Sequence, residues 1–185
     1  MVNKRGASVV KNVALIGIMA AIIECAKLAL AALPNIEAVS LLISLFSFVF
    51  GWVGVAATFV FVCIEPLIWG IGTWFISYLI YWPMLAVIFF FLGRLRIKNR
   101  FALTGIIISC TVFFGILTSF VDVGLFSGSF DNLFYRFSVY YSRGVVFYIV
   151  HTVSNAFVFL FAFKPLLLPL YKIKSLWFPS FEKSK

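Results

Sequence analysis

The sequence predicts an all-α integral membrane protein, a bundle of six transmembrane helices with both termini on the cytoplasmic side. Three observations carry that expectation. Of the 185 residues, 64% are hydrophobic and only 11% charged, whereas soluble domains carry about 25% charged residues. The apolar residues fall into six stretches broken by Pro, Gly and basic clusters. Finally, 12 of the 15 Lys and Arg residues fall on one side if the chain crosses six times. They are Lys4, Arg5 and Lys11 before the first stretch, Arg94, Arg96, Lys98 and Arg100 in one link, and Lys164, Lys172, Lys174, Lys183 and Lys185 after the last. Positive charge stays cytoplasmic, so this asymmetry orients the bundle. It also assigns the net charge of +9 to topology and anionic lipid rather than nucleic acid.

The predicted spans are about 11–33, 38–50, 52–69, 74–92, 102–121 and 143–163, in a single membrane domain, 1–185. Helix 1 follows basic residues and stops at Pro34-Asn35. Ala29-Leu30-Ala31 faintly resembles a signal-peptide cleavage site, but Glu24 and Lys27 interrupt the apolar run, so the helix is read as retained. Helix 2 is short for a span, which fits a buried or untilted segment. Gly51-Trp52-Val53-Gly54 is an inner turn and Gly70-Ile71-Gly72-Thr73 an outer one. The segment 124–142, with Phe130, Phe134, Tyr135, Tyr140 and Tyr141, is expected to be a long outer loop acting as a lid or interfacial segment. Lys164-Pro165 is expected to end helix 6, leaving 164–185 as a tail along the inner surface. Cys25, Cys63 and Cys110 sit in apolar stretches and are read as packing residues. No standard zinc set and no nucleophile–histidine–acid set is visible, so no metal, cofactor or catalytic residue is expected.

Ionisable groups in hydrocarbon cost roughly 2.5 kcal/mol upward and persist where they meet a partner, a cavity or a ligand. Here they are Glu24, Lys27, Glu65, Asp122 and His151. Glu24 and Lys27, three apart, share a helix face and can form a structural pair. Glu65 precedes Pro66, where a kink either is capped by the carboxylate or opens a binding position. Trp74, Tyr78, Tyr81 and Trp82 recur along one stripe of helix 4. An interfacial belt explains Trp74 and Tyr78; Tyr81 and Trp82 lie deeper and suit a stacking wall for a flat ligand. In helix 6, Arg143, Phe147, His151 and Asn155 recur every four residues, with Tyr148 beside them. This stripe faces the bundle interior or a wet pocket, and His151 either bonds Asn155 or Glu65 or meets a ligand. On helix 1, Ala14, Gly17 and Ala21 make a thin face that serves either internal packing or a partner helix.

The chain resembles the substrate-binding S components of energy-coupling factor (ECF) transporters, the vitamin-uptake branch of the ABC transporters. The resemblance runs over nearly the whole length. It is carried by Ala14-Leu15-Ile16-Gly17-Ile18-Met19-Ala20-Ala21, Leu33-Pro34-Asn35-Ile36-Glu37, Phe50-Gly51-Trp52, Glu65-Pro66-Leu67-Ile68-Trp69-Gly70, Tyr81-Trp82-Pro83 and the run from His151 to Pro165. It implies a multi-pass protein of the bacterial cell membrane that captures a vitamin and is not itself an enzyme. Its partners would be a transmembrane coupling subunit, which docks on Ala14, Gly17 and Ala21 with Gly17 in place of the usual first Ala, and two ATP-binding cassette subunits. The ligand would lie near the outer surface, with Glu37, Trp74, Tyr78, Trp82, Arg143, Tyr148, His151 and Asn155 around it, joined by Tyr81 of the helix 4 stripe and by Glu65 and Trp69 of the Glu65–Gly70 segment. The N-terminal histidine of cobalt and nickel S components is absent from Met1-Val2-Asn3, which favours an organic guest: cobalamin first, then riboflavin or another ring compound. Two other readings stay open. One is a stand-alone proton-coupled carrier using Glu24, Glu65, Asp122 and His151. The other is a lipid-modifying enzyme with Glu65 and His151 as acid and base.

Overall fold

The computed structural model describes residues 4–127 and 131–178, and all the regular structure among them is helical. The helices are α1 Lys4–Leu30, α2 Val39–Phe50, α3 Trp52–Trp69, α4 Thr73–Arg94, α5 Arg100–Ser127 and α6 Leu133–Val158. A π-helical turn, Phe159–Phe163, then leads into α7 Lys164–Trp177. Among the described residues, five helical runs are long and apolar enough to cross a membrane, and α2 is a shorter apolar helix.

α2 is the centre of the bundle. Its 12 residues reach about 18 Å, well short of a hydrocarbon layer of about 30 Å. Its neighbours compensate: α1, α3, α4, α6, the π turn and α7 all pack on it, and nearly every one of its residues is buried. Two glycines bring those neighbours close. A side chain at Gly54 would strike the Phe46 carbonyl of α2, and one at Gly93 the Phe48 carbonyl. Small residues at such contacts let helix backbones approach where lipid supplies no hydrophobic drive for association. Gly51 makes the α2–α3 turn at φ 66°, and its N–H bonds the Ser47 carbonyl at 3.0 Å. Beneath lies an aromatic floor. Phe159 and Phe163 stack at 5.2 Å, and Phe89 meets both at 5.6 and 5.7 Å.

Three expectations need correction. The segment 124–142 is not one long loop: α5 continues to Ser127 and α6 already begins at Leu133. Its rings sit on α6, where Phe137 stacks on Phe120 of α5 at 4.2 Å and on Tyr141 at 5.5 Å; Phe130 lies outside the described residues. Spacing of four places these rings on one face, and that face packs.

Nor does Lys164-Pro165 end helix 6. The backbone stays helical through Phe163 and Lys164, and the π turn, a wider helical turn, sits directly before Pro165, where it accommodates the proline ring and its missing N–H. The run Leu133–Trp177 is 45 residues long, about 67 Å if straight and twice the bilayer core. α7 instead packs against α2 and the π turn. There Lys174 Nζ donates to the Val49 carbonyl at 2.5 Å, closing the C-terminal end of α2. The tail 179–185, with Lys183 and Lys185, lies outside the described residues.

Lys27, finally, does not pair with Glu24. It forms its ion pair with Glu65 of α3. Glu65 is fully buried on the helix against which α1 packs, so it needs the counter-charge more than a neighbour on α1 does.

Short turns join α2 to α3, α3 to α4 and α4 to α5, so these helices alternate in direction. The α1–α2 and α3–α4 links therefore share one end of the bundle. The basic α4–α5 link, with Lys98 over the Tyr171 ring of α7 at 5.6 Å, occupies the other.

Candidate functional site

At the end away from the basic cluster, two hollows lie side by side. The first, of about 220 Å³, lies under the α1–α2 link, with Glu37, Tyr78, Trp82, Phe114 and His151 in its wall. The second, of about 330 Å³, is lined by Lys27, Ala31, Glu65, Trp69, Trp74 and Tyr78. Lys27, Ala31 and Tyr78 border both.

Glu37 reaches its place because the link turns at Asn35, a residue with φ 59°, and delivers the carboxylate to the start of α2. Oε2 accepts the Ser40 N–H at 2.7 Å, and Oε1 lies 3.2 Å from His151 Nε2. The helix start offers unpaired N–H groups and positive dipole, which favour an anion. Burial pushes the Glu37 carboxyl up. The hydrogen bond and charge of His151 and the bonds from Ser40 outweigh it and hold the group below its ordinary value of 4.5.

His151 lies edge-on to Phe114, with ring centres 5.6 Å apart. One turn along α6, Asn155 is buried and donates to Thr111 Oγ1 at 3.1 Å and to Ser40 Oγ at 3.4 Å. The Tyr81 hydroxyl lies against the same Ser40 and Thr111. Asn155 thus ties α2, α5 and α6 together beneath the hollow; neither it nor Tyr81, whose buried hydroxyl has no hydrogen-bond partner among the described residues, lines the hollow.

The wall is a ladder of rings on α4. Trp74 meets Tyr78 at 5.1 Å and Tyr78 meets Trp82 at 5.6 Å, both edge to face. Trp82 continues to Phe114 at 6.0 Å. Its Nε1 is buried with no hydrogen-bond partner among the described residues, a donor left beside the first hollow. Such an orphan costs about 1–3 kcal/mol unless something answers it.

Of the residues expected at a ligand, Glu37, Tyr78, Trp82 and His151 border the first hollow and Glu65, Trp69, Trp74 and Tyr78 the second. Arg143 and Tyr148 border neither. Arg143 is exposed on α6, two turns above His151. Tyr148 turns to α5, where its hydroxyl meets Ser119 Oγ at 2.8 Å and its ring lies over Gly115. Asp122 is likewise engaged, accepting from Thr73 Oγ1 at 2.5 Å and from Tyr140 at 2.9 Å. Sequence reasoning left out Lys27 and Phe114 as site residues. An ammonium within a span was a usable signal for Lys27, but nothing marked Phe114 among 24 phenylalanines.

On the far face of α1, Ala14, Gly17 and Ala21 are exposed, while Leu15, Met19 and Ile23 are buried within the bundle. A side chain at Gly17 would meet nothing within 4 Å.

No protein-family model, curated protein or solved structure matches this chain.

Proposed function

We propose that this chain is the substrate-capture subunit of an ECF-type transporter in the bacterial cell membrane. Six membrane-crossing segments and cytoplasmic termini belong to that reading. The protein takes up a ring-bearing vitamin or related organic micronutrient at its outer end. It passes the guest inward once a transmembrane coupling subunit and two ATP-binding cassette subunits engage it. The chain supplies binding, and its partners supply ATP hydrolysis. Docking can drive release only if it favours the state that holds the ligand poorly, since equal affinity for both states shifts nothing.

The observation that carries the reading is the pair of hollows walled by Trp74, Tyr78 and Trp82, at the end of the bundle opposite the basic cluster. Aromatic walls with a few convergent polar groups are the usual make-up of a small-molecule site. A compound of one to three rings, with tricyclic riboflavin at the upper limit, suits hollows of about 220 and 330 Å³; cobalamin would need the 31–38 link to swing aside. The test is binding of a vitamin panel to the purified chain, repeated with Trp74→Ala and His151→Ala. Expected is a vitamin bound at micromolar or tighter affinity, weakened at least about tenfold by either change. A panel in which nothing binds at that level refutes the reading. An absorbance spectrum of the purified protein separates cobalamin and flavin from colourless guests.

A second reading, a stand-alone proton-coupled carrier, draws on Glu24, which lies alongside Glu65 near Lys27. Uptake into proteoliposomes that lack ATPase partners would favour it.

A further inference from the structure

The second hollow has a composition of its own. Three rings, Trp69, Trp74 and Tyr78, stand around a fully buried carboxyl, Glu65. The Lys27 ammonium bonds Glu65 Oε2 and lies 5.4 Å from the Trp69 ring centre and 5.2 Å from that of Tyr78. The protein thus holds one of its own ammonium groups in an aromatic cage closed by a carboxylate. That is the chemistry by which proteins recognise ammonium ligands, because the negative faces of the rings attract the cation. The other Glu65 oxygen, Oε1, is buried and has no hydrogen-bond partner among the described residues. Glu24 brings a second carboxyl against Glu65. Two carboxyls this close do not both ionise, so one carboxylate, Glu65, answers the Lys27 ammonium here, and a second, Glu37, lies beyond Tyr78 across the first hollow.

We propose that this hollow is a site for a small organic cation, a protonated or quaternary amine. The guest stacks on Trp69, Trp74 and Tyr78 and takes over the Glu65 carboxylate from Lys27. The inference rests on the capture-subunit reading only in taking the hollow as a ligand site, and it names the guest's chemical class. The exchange balances, one cation for another. Lys27 has somewhere to go: it also borders the first hollow, where Glu37 lies, and its flexible stem carries the ammonium between them. Lys27 is in this sense a tethered competitor that keeps Glu65 paired until the guest arrives. A buried carboxylate with no counter-charge would otherwise be costly.

The experiment uses the full chain in nanodiscs and follows tryptophan fluorescence, since Trp69 and Trp74 line the site. The probes are choline, tetramethylammonium and benzyltrimethylammonium, with 3,3-dimethylbutanol as the neutral isostere of choline and benzoate as an anion. At least one cation is expected to bind, and choline at least about tenfold tighter than its isostere. Lys27→Met removes the competitor and should tighten cation binding about tenfold, whereas a lysine serving an anion would give the reverse. Glu65→Gln should abolish cation binding. Trp74→Leu, at a partly exposed position that leaves the carboxyls untouched, should weaken it about tenfold. The proposal is overturned if no cation binds, if choline and 3,3-dimethylbutanol bind equally, if Lys27→Met weakens the cation, or if benzoate binds through Lys27. Vitamin binding without cation binding removes the cation site alone. Cation binding in a chain that does not work with ATPase partners removes the subunit reading alone.

Discussion

Glu37 and His151 come from positions 114 residues apart and meet at 3.2 Å, over the start of a helix that was already poised to hold a carboxylate. Because the Glu37 carboxyl is held below its ordinary value of 4.5, its ionised form stabilises the fold. The sign follows from linkage. That contribution is complete above the unfolded value, near 4.5, and is lost as pH falls through the folded value. Glu37→Gln should therefore cost about 1–3 kcal/mol at pH 7. The gap in thermal midpoint between the two proteins should close as pH drops below 4.5. A gap that stays constant down to pH 3 would mean that the carboxylate charge contributes nothing. The sequence marks residues of this kind well within a span. Glu65, Trp82 and His151 stand out because a polar or bulky amphipathic side chain in an apolar stretch needs a reason, whereas Glu37, in the link between α1 and α2, is marked by no such rule. The sequence does not reveal their partners. Lys27 finds Glu65 across 38 positions rather than Glu24 on its own helix, a choice set by how α1 packs on α3. Four-residue spacing joins Arg143 to His151, with Tyr148 beside that stripe, but α6 starts ten residues earlier than its apolar run suggests. Its upper turns carry Phe137 and Tyr140 onto α5, where they meet Phe120 and Asp122, and neither hollow is lined from them.

At the scale of elements, the boundaries that sequence makes plain are those drawn by glycine and proline. Gly51 and the Gly70–Gly72 turn separate α2, α3 and α4 where the chain suggests. The boundaries it hides are those where tertiary packing overrides a local signal. Pro165 is a helix breaker by local rules, yet the π turn before it carries the helix on to Trp177. The aromatic segment after Gly124 is too polar to read as a span, yet it is helical at both ends, and Phe137 stacks on Phe120 of α5 while Phe134 and Tyr135 stay exposed. The central position of α2 depends on two contacts no periodicity reports, Gly54 and Gly93 against the α2 backbone. Gly93→Ala should therefore cost about 1–3 kcal/mol, because its new methyl meets the Phe48 carbonyl, which cannot step aside. Gly105→Ala, in α5 with nothing within 4 Å, should cost nothing, since Ala is the better helix former. Thermal midpoints of the two variants in one detergent test this. Equal midpoints would show that α2 is not gripped at Gly93.

For the molecule as a whole, the ligand end and the α1 face have to be separable if capture and delivery are divided between this chain and its partners. They are separate in space. The hollows sit between α1, α2, α3, α4 and the inner turns of α5 and α6. Ala14, Gly17 and Ala21 point away on the uncovered side of α1, which packs only through Leu15, Met19, Ile23 and their neighbours. That thin face allows a second helix to approach closely, and bulk added there pushes it off by the width of a side chain. The double change Gly17→Leu with Ala21→Leu therefore touches nothing inside the bundle, since Gly17 has open space around it, and it should leave ligand affinity unchanged within about twofold. Uptake by cells or proteoliposomes carrying the coupling and ATPase subunits should fall at least about tenfold, because each docking event loses its close helix contact. Loss of both binding and uptake would mean that α1 shapes the ligand site instead. Uptake that survives the change would mean that the partners, if they engage this chain, do so through another face.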